Sequence, residues 1–316
     1  PPCLFPAASA IISRYQPVHA YTMNSQFQNI GIVTRPNTPD IQTNARTLIR
    51  FLHAEKLTVF LDEACTEDGS VFPEDTGGCH ITAKSGLGGR CDVVIVLGGD
   101  GTFLSVARKL APHGTPVIGV NQGHLGFLTQ VSRENMVESL RAMLAGQYRA
   151  EERILLEVSL ERDGEICQQS LALNDAVISR GGAGQMIEFE VFIDKEFVYT
   201  QRSDGLIVST PTGSTAYALA AGGPILQAGL RAFTLVPICP QSMTNRPIAI
   251  PDISEIEVLI TKSGDARVHG QSFVDIQNLD RIHIRRYPRP LRILHPTDYE
   301  YFKTLRQKLH WGEQLL

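Results

Sequence analysis

The sequence predicts two domains: an open, mostly parallel α/β sheet in the N-terminal half and an all-β antiparallel sandwich in the C-terminal half. Segments of strand length alternate with segments of helical periodicity up to about residue 148. Beyond that point, apolar and polar residues alternate with a period of two through several short segments. The chain has 316 residues, of which 43% are hydrophobic, so it is long enough for two domains with buried cores.

The first half begins with a strand, a helix and a second strand. Asn29 to Val33 is a short buried-strand pattern, and the apolar residues after Asp40 lie on one helical face, with Asp40 available as N-cap. Leu57 to Leu61 predicts the second strand, whereas residues 62–90 show little periodicity and indicate a flexible connection. Asp92 to Leu97 is apolar on both faces, which is typical of a central parallel strand. The remaining elements of this half are a helix beginning near Phe103, a strand over 116–120 and a helix over 134–144.

The second half contains alternating strands between about residues 150 and 290. Apolar residues recur at every second position in 156–160, 187–193, 256–260 and 282–284. The last stretch, Asp298 to Leu309, returns to helical spacing, and we expect this helix to pack back on the first domain. The predicted divisions are an extension over 1–27 that we expect to be disordered, an α/β domain over 28–148, a β sandwich over 149–292 and a C-terminal segment over 293–316.

Composition and charge argue against several classes of protein. The net charge is −4, whereas a protein that coats nucleic acid needs an excess of basic residues, so we expect no nucleic-acid partner. No apolar run reaches the length of about 20 residues that a membrane span needs, so we expect no membrane partner. The six cysteines form no CxxC pair and indicate reduced thiols in a cytoplasmic protein. We interpret residues 1–22, which lack the basic region of a signal peptide, as a poorly ordered extension or as sequence upstream of the natural start.

A glycine-rich loop follows the strand at 92–97. Gly98-Gly99-Asp100-Gly101-Thr102 lies at the carboxyl end of this strand and at the start of a helix, where open α/β sheets bind ligands. Glycines let the backbone approach a phosphate, and a helix N-terminus offers unpaired N–H groups. Asp100 would repel a phosphate unless Mg²⁺ or an attacking hydroxyl lay between them, so the loop indicates phosphoryl transfer with Asp100 as base or metal partner. The alternative is a tight turn in which Asp100 is only the helix N-cap.

A second polar segment runs from Ser203 to Tyr217. It joins a strand at 206–209 to a turn and then to an Ala-rich helix. The turn carries a dense set of hydroxyl groups that suits a ribose or a phosphate, and Tyr217 can stack on a base. The alternative is a Ser/Thr turn that caps the helix. The hydroxyl groups belong to Thr210, Thr212, Ser214 and Thr215.

Two further motifs are weaker on their own. Asn174-Asp175 ends a predicted strand, where such a pair is usually only a turn. Asn121 to Phe127 follows the strand at 116–120, so it lies at the same sheet edge as the glycine loop and forms a second wall of the same crevice. We expect His124 within this segment to be structural rather than catalytic.

Taken together, these residues closely resemble the NAD kinase family of the bacterial type, over about residues 28–316. The glycine loop alone is shared with lipid kinases of the diacylglycerol and sphingosine kinase type, and a similar loop occurs in phosphofructokinases. The run from Gln201 to Pro224 resembles only the NAD kinases. The resemblance implies a Rossmann-like, phosphofructokinase-like first domain. The segments that carry it are 98–102, 121–127, 174–175, Met186 to Glu190, Gln201 to Pro224 and Asp298 to Phe302.

This resemblance implies an activity and a set of partners. The family transfers the γ-phosphate of ATP to the 2′-hydroxyl of the adenosine ribose of NAD, giving NADP. ATP with Mg²⁺ and NAD would be the small-molecule partners, and the metal would be carried with ATP rather than held by ligands of the chain. Family members form homodimers or homotetramers through the β domain, so we expect a homo-oligomer. The alternatives are a lipid kinase with the same loop and a non-catalytic nucleotide-binding protein.

The resemblance also implies roles for particular residues. Asp100 would accept or orient the proton of the 2′-hydroxyl, Gly101 would lie against the same nucleotide, and the glycine loop would hold the phosphates of ATP. Asn174 and Asp175 would bind a ribose of NAD, and Asp204 would bind a base or the carboxamide. The other implied nucleotide-binding residues are Gly98, Gly99, Thr102, Phe127, Gln185, Arg202, Thr212, Thr215, Ala216, Tyr217, Ala220 and Gln271.

Three positions vary within the family pattern. Arg202 stands where some members have Gly, and an Arg there goes with a preference for NAD over NADH. His269 stands where many members have Asp, which removes a carboxylate that would contact NAD or a neighbouring subunit. Ala220 stands where Ser is common, which removes one hydroxyl donor. None of the three is a phosphoryl-transfer residue.

Overall fold

The computed structural model describes residues 25–34, 38–71, 73–123, 125–181, 185–263, 266–269 and 273–312. Most of the predicted extension over 1–27 lies outside these ranges, and so do His124 and Gln271. Within these seven ranges, no helix is long and apolar enough to cross a membrane.

Seven of the described strands form sheet A, the sheet of the first half. They are β1 (Asn29–Thr34), β2 (Thr58–Asp62), β3 (Cys79–Thr82), β4 (Val93–Leu97), β5 (Val117–Val120), β6 (Arg149–Arg153) and, near the end of the chain, β19 (Leu291–His295). Their order across the sheet is β3-β2-β1-β4-β5-β19-β6. Every neighbouring pair is parallel except β19 with β6.

Helices cover both faces of sheet A. The helices of the described chain are α1 (Pro39–Ala54), α2 (Ala64–Glu67), α3 (Lys84–Leu87), α4 (Asp100–Leu110), α5 (Met136–Leu144), α6 (Tyr217–Ala220) and α7 (Tyr301–Leu309), with 3₁₀ turns at Pro73–Asp75, Ala111–His113 and Gly213–Thr215. Leu48 of α1 and Leu140 of α5 share an apolar cluster on one face of the sheet. Phe103 and Leu110 of α4 belong to the cluster on the other face. Because β4 lies between these layers, all of its residues are buried, which accounts for its apolar sequence.

The second half contains two antiparallel sheets. The described strands that form them are β7 (Leu156–Arg162), β8 (Glu165–Ala172), β9 (Asp175–Arg180), β10 (Ile187–Ile193), β11 (Glu196–Ser203), β12 (Gly205–Ser209), β13 (Ala232–Ile238), β14 (Ile248–Pro251), β15 (Ile256–Lys262), β16 (Ala266–His269), β17 (Phe273–Asp275) and β18 (Arg281–Arg286). Sheet B has the order β11-β10-β15-β18-β7-β8, and sheet C has the order β14-β13-β12-β9-β16-β17. One apolar cluster includes Phe189 of sheet B and Phe233 of sheet C, so the two sheets pack face to face as a sandwich.

The predicted fold class is confirmed, including the return of the last helix to the first domain. Thr304 of α7 donates a hydrogen bond from Oγ1 to Oε1 of Gln130 at 3.3 Å. Two strands enlarge sheet A beyond the sequence-based prediction, since β6 follows residue 148 and β19 comes after the whole sandwich. The domain boundaries stay a prediction.

Two local predictions are wrong. The N-cap of α1 is Thr38 rather than Asp40, and Pro39 takes the first turn, where its fixed φ suits the helix and its missing N–H costs no hydrogen bond. Residues 62–90 contain α2, a 3₁₀ turn, β3 and α3 instead of an irregular connection. Strand β3 lies at the edge of the sheet with exposed residues, so its sequence carries no apolar pattern.

Candidate active site

The glycine loop connects β4 to α4. The N–H of Gly98 donates to the carbonyl oxygen of Val120 at 2.9 Å, which ties the start of the loop to β5. Gly99 is the N-cap, and the N–H of Phe103 donates to its carbonyl oxygen at 3.1 Å as the first bond of the helix. The amides of residues 100–102 precede this bond and therefore have no acceptor within the helix. The alternative in which Asp100 is the N-cap is wrong, because Asp100 is the first helical residue.

The outer glycines leave open space beside the helix N-terminus. A Cβ atom at Gly99 or at Gly101 would meet no protein atom within 4 Å. A Cβ atom at Gly98, by contrast, would lie 2.8 Å from Oγ1 of Thr102, so packing within the loop accounts for that glycine. The space at Gly99 and Gly101 adjoins the positive end of the α4 dipole, where an anionic group is stabilised.

The Asp100 carboxylate binds the loop that follows β5. The N–H of Phe127 donates to Oδ2 at 2.8 Å, and the N–H of Leu128 donates to Oδ1 at 3.0 Å. The N–H and the Oγ1 of Thr129 each lie 3.3 Å from Oδ1. These donors and the N-terminus of α4 both stabilise the negative charge of the carboxylate. The predicted second wall of the crevice is therefore in direct contact with the glycine loop.

The contact between the Asp100 carboxylate and the loop after β5 explains why residue 126 is a glycine. A Cβ atom at this position would overlap with Oδ1 of Asp100 and with Oγ1 of Thr129. On the other side of the loop, Nδ2 of the buried Asn121 donates to the carbonyl oxygen of Thr129 at 3.4 Å. The loop is thus closed around the carboxylate, with no space for a larger residue at its start.

The turn after β12 is held against the Asn174-Asp175 motif. Oγ1 of Thr210 donates to the carbonyl oxygen of Leu173 at 2.6 Å, and the N–H of Thr210 donates to the carbonyl oxygen of Asn174 at 2.8 Å. The register of β9 and β12 places Asp175 opposite Ser209. The two motifs, which are far apart in sequence, therefore form one polar surface.

Hydroxyl groups also shape the turn from within. Oγ of Ser214 donates to the carbonyl oxygen of Pro211 at 2.7 Å. Oγ1 of Thr215 donates to the carbonyl oxygen of Thr212 at 3.3 Å. The hydroxyl protons thus serve the backbone. Oγ of the buried Ser214 also accepts the N–H of Leu226 at 3.0 Å, whereas the partly exposed Thr215 keeps lone pairs that a ligand can use.

The two halves of the chain meet at a small cavity of about 10 Å³, which is close to the space that one water occupies. Phe127, whose N–H binds the candidate carboxylate, lines it together with Thr212 and Thr215. Arg153 of β6 and Tyr301 of α7 line the same cavity. The structure therefore brings these three predicted residues together with the glycine loop.

An ionic cluster that the sequence did not indicate lies beneath the turn. Arg153 is 3% exposed, with Nη1 donating to Oγ1 of Thr212 at 3.2 Å and Nη2 to Oε2 of Glu151 at 2.9 Å. Nε2 of the buried His295 lies 3.2 Å from the same carboxylate oxygen. Burial raises the pKa of Glu151, but His295 and Arg153 outweigh it and lower that pKa to about 2. Burial lowers the pKa of His295, so we expect its ring to be neutral at pH 7.

The Asp175 carboxyl is largely buried beside the turn. Burial raises its pKa from the ordinary value of 3.8 to about 6. Among the residues that the structure describes, no charged group opposes this effect. A carboxyl group whose pKa is strongly raised by desolvation is typical of functional sites.

Asp204 and Arg202 lie near the opposite end of β12. Nε of Arg180 is 2.8 Å from Oδ1 of Asp204, and Nε of Arg202 is 3.6 Å from Oε1 of Glu188. A surface cavity of about 480 Å³ adjoins Arg202. The four steps of β12 span about 13 Å at roughly 3.3 Å per residue, so these residues form a second cluster at a distance from the turn.

The remaining predicted residues lie on or near short elements. Ala216 and Tyr217 start α6, and the Tyr217 side chain is 47% exposed, so its ring is accessible for stacking. Ala220 is exposed at the end of α6, and Gln185 is exposed just before β10. Gln271 lies outside the described residues, so its predicted contact stays a prediction.

The fold and the site define a class of protein. A helix N-terminus with open amides at the carboxyl end of a parallel strand is typical of phosphate-binding sites, and a carboxylate beside it suits phosphoryl transfer. A β sandwich places a hydroxyl-rich turn beside it. This combination is typical of a two-domain phosphotransferase.

Comparisons with known proteins identify the family. Family models for the ATP-NAD kinase N-terminal domain and for the ATP-NAD kinase C-terminal domain match residues 30–148 and 173–295. An NAD kinase from Neisseria gonorrhoeae is 71% identical over 296 residues, which cover 93% of this chain and 100% of that protein. An NAD kinase from Laribacter hongkongensis is 53% identical over the same shares of the two chains. The chain belongs to the ATP-NAD kinase family.

Solved structures share the two-domain fold. Yeast NADH kinase complexed with NADH has a TM-score of 0.83 at 24% identity, covering 93% of this chain and 90% of that chain. An NAD kinase from Archaeoglobus fulgidus in complex with ATP has a TM-score of 0.67 at 26% identity, covering 90% of this chain and 98% of that chain.

The raised pKa of Asp175 predicts a pH-dependent gain in stability for Asp175→Asn. At pH 7.5 the ionised carboxylate is desolvated in the folded state and hydrated in the unfolded state. The free energy of unfolding of the variant should therefore be higher by about 3 kcal/mol. The gain should shrink as the pH falls through 6 and vanish below about 4, where both states of the wild type are protonated. Urea denaturation at pH 7.5, 5 and 3.5 measures it. Asp163→Asn, at an exposed turn, is the control, and an equal effect there at pH 7.5 would contradict the burial effect at Asp175.

The overlap at Gly126 predicts that Gly126→Ala destabilises the fold. The added methyl group must displace either the Asp100 carboxylate or the Thr129 side chain, at a cost of about 1–3 kcal/mol. Gly77→Ala is the matched control, since a Cβ atom there meets nothing within 4 Å. Urea denaturation of both variants tests the difference, and equal stabilities would show that the loop does not close tightly around the carboxylate.

Proposed function

We propose that this protein is an NAD kinase, which transfers the γ-phosphate of ATP to the 2′-hydroxyl of the adenosine ribose of NAD and produces NADP. Family models for both ATP-NAD kinase domains match the chain, and a relative named NAD kinase is 71% identical along 93% of it. The sequence motifs lead to the same activity as the names of these relatives.

One observation carries the proposal for the site. The Asp100 carboxylate lies at the N-terminus of α4, bound by three consecutive amides of residues 127–129 and adjacent to the open amides of residues 100–102. Phosphoryl transfer needs donors for the phosphate oxygens and benefits from a base near the attacking hydroxyl. Both requirements are met at this one place.

The hydrogen bonds suggest which oxygen of Asp100 receives the proton. Oδ1 lies within reach of the N–H of Leu128 and of both donors of Thr129. Among the described residues, Oδ2 accepts only the N–H of Phe127. A carboxylate oxygen has about two lone-pair sites, so Oδ2 keeps one for the substrate. In our proposal, Oδ2 orients the 2′-hydroxyl and accepts its proton as the oxygen attacks the γ-phosphorus.

The NAD molecule would lie along the sandwich. Asn174, Asp175 and the turn at 212–215 would bind the adenosine ribose, and Ala216, Tyr217 and Ala220 would line the adenine side. Gln185, Arg202, Asp204 and Gln271 would bind the remaining half. The separation of about 13 Å along β12 supports this assignment, because an extended dinucleotide can span it.

The donor would be ATP carrying Mg²⁺. Among the residues that the structure describes, no group of three or more His, Cys, Asp or Glu side chains is placed to hold a metal ion. Gly99, Gly101 and Thr102 instead offer backbone amides and one hydroxyl, and this donor set suits phosphate oxygens. The N–H of Gly98 is bound to Val120, so Gly98 would contribute to the loop through its small size. The metal, when bound, would neutralise phosphate charge during transfer.

Assembly and location follow from the resemblance to the family. We propose a homodimer or homotetramer formed through the β domain and a cytoplasmic location. Scattered cysteines without a CxxC pair agree with a reducing compartment.

A coupled assay tests the function against its alternatives. The protein is incubated with Mg-ATP and NAD, and NADP is followed with an NADP-specific dehydrogenase. A parallel reaction offers a diacylglycerol in detergent micelles with radiolabelled Mg-ATP. Formation of NADP alone is expected, labelled lipid would favour the lipid kinase, and binding of NAD without product would favour a non-catalytic protein.

The role of Asp100 predicts that Asp100→Asn folds and still binds NAD but loses kcat. General-base assistance is typically worth about 10²–10⁴-fold, so kcat should fall by that factor with a nearly unchanged Kd for NAD. Asparagine also replaces one acceptor of the loop amides with a donor. Thr129→Val separates the two effects, because it removes a single hydrogen bond to Oδ1 and leaves the carboxylate in place. The kcat of Thr129→Val should fall less than tenfold. Near-normal turnover of Asp100→Asn would contradict the proposed role of Asp100 as the base.

A further inference from the structure

Gln130 contacts the loop at 126–129 through two backbone carbonyl groups. Its Nε2 donates to the carbonyl oxygen of Gly126 at 2.6 Å and lies 3.3 Å from that of Phe127. These bonds are made outside the crevice, and no sequence motif indicated this residue.

The two carbonyl groups belong to the peptide units that bind the catalytic carboxylate. A peptide unit is planar and trans, so its N–H and C=O groups point in opposite directions. The unit that carries the carbonyl of Gly126 also carries the N–H of Phe127, which donates to Oδ2 of Asp100. The unit that carries the carbonyl of Phe127 also carries the N–H of Leu128, which donates to Oδ1. By holding the two carbonyl groups, Gln130 fixes the directions of both N–H groups.

Helix α7 contacts the oxygen of the Gln130 amide. Oγ1 of the buried Thr304 donates to Oε1 of Gln130 at 3.3 Å. The carbonyl oxygens of Gly126 and Phe127 can only accept, so Nε2 faces the loop and Oε1 faces Thr304. The C-terminal helix is thereby linked to the carboxylate through one side chain and two peptide units.

We propose that Gln130 is a positioning residue for phosphoryl transfer: it holds the peptide units at 126–128 so that their N–H groups keep Asp100 in its reactive orientation. The inference rests on the proposed function of Asp100. Gln130 itself does not touch the substrate. Its loss should therefore change the rate of the chemical step more than the affinity for NAD.

Gln130→Glu is the sharpest test, because it keeps the shape and the Thr304 contact but replaces the amide donor with a carboxylate. A displaced reactive group can cost about 10²-fold in rate, so we expect kcat to fall by about 10- to 100-fold and the KM for NAD to change less than threefold. Gln307→Glu on the exposed face of α7 makes the same change of charge and should leave kcat unchanged. Circular dichroism and urea denaturation check that the variants fold.

A double variant distinguishes positioning from general destabilisation. If Gln130 acts through Asp100, adding Gln130→Glu to Asp100→Asn should lower kcat by less than about threefold further. Multiplication of the two losses would overturn the proposal, as would unchanged kcat in Gln130→Glu or a loss confined to KM. If Gln130→Glu fails to fold, Gln130→Met, which also lacks the donor, is judged by the same criteria.

The experiment separates this inference from the proposed function. If the wild type forms no NADP, the proposed function fails, whatever the variants do. If the wild type and Gln307→Glu are active and Gln130→Glu is equally active, only the inference about Gln130 fails. Thr304→Val should have a smaller effect than Gln130→Glu. A surface cavity of about 220 Å³ adjoins the contact between Thr304 and Gln130, so water can replace the lost hydroxyl group, and kcat should fall by less than tenfold.

Discussion

The contact between the Asp100 carboxylate and the amides of residues 127–129 is the interaction on which the site depends. Asp100 follows β4 and the amides follow β5, and these adjacent parallel strands end at the same sheet edge. The contact joins their two loops into one rigid crevice. A carboxylate beside a phosphate-binding helix N-terminus would otherwise oppose the binding of an anion. Here its charge is stabilised by protein donors, and in our proposal one oxygen keeps a lone pair for the substrate.

The sandwich reaches this crevice through a second set of buried polar contacts. Burying the charge of Arg153 without partners would be strongly destabilising. Glu151 and Thr212 accept hydrogen bonds from its guanidinium group. The cluster lies where sheet A meets the hydroxyl-rich turn. It therefore ties the position of the turn, and of the ribose that we propose it binds, to the parallel sheet that carries the carboxylate.

Sequence reasoning succeeded where the signal is local. Apolar runs predicted the central strands, and the rule that ligands bind at the carboxyl ends of parallel strands predicted the place of Asp100. It did not find β3, whose edge position leaves no apolar pattern, or the insertion of β19 between β5 and β6, which depends on pairing across the whole chain. Arg153, Gln130 and the Arg180–Asp204 pair were missed for the same reason: a charged or amide side chain in a strand or loop gives no sign of which distant group it will meet. The assignments that came only from the resemblance, such as Gln271, stay predictions.

The place of β19 has a consequence for how the chain acquires its structure. Because β19 lies between β5 and β6, sheet A cannot be completed until residue 295 has been synthesised. The entire sandwich is an insertion between β6 and β19, which are neighbours in the sheet. The chain leaves and re-enters the sheet one strand spacing apart, so the sandwich is tethered by two adjacent segments rather than by a single linker. Completion of sheet A is then a late, long-range event in folding. A nascent chain in which the glycine loop has already been synthesised still lacks the last strand of the sheet that carries this loop.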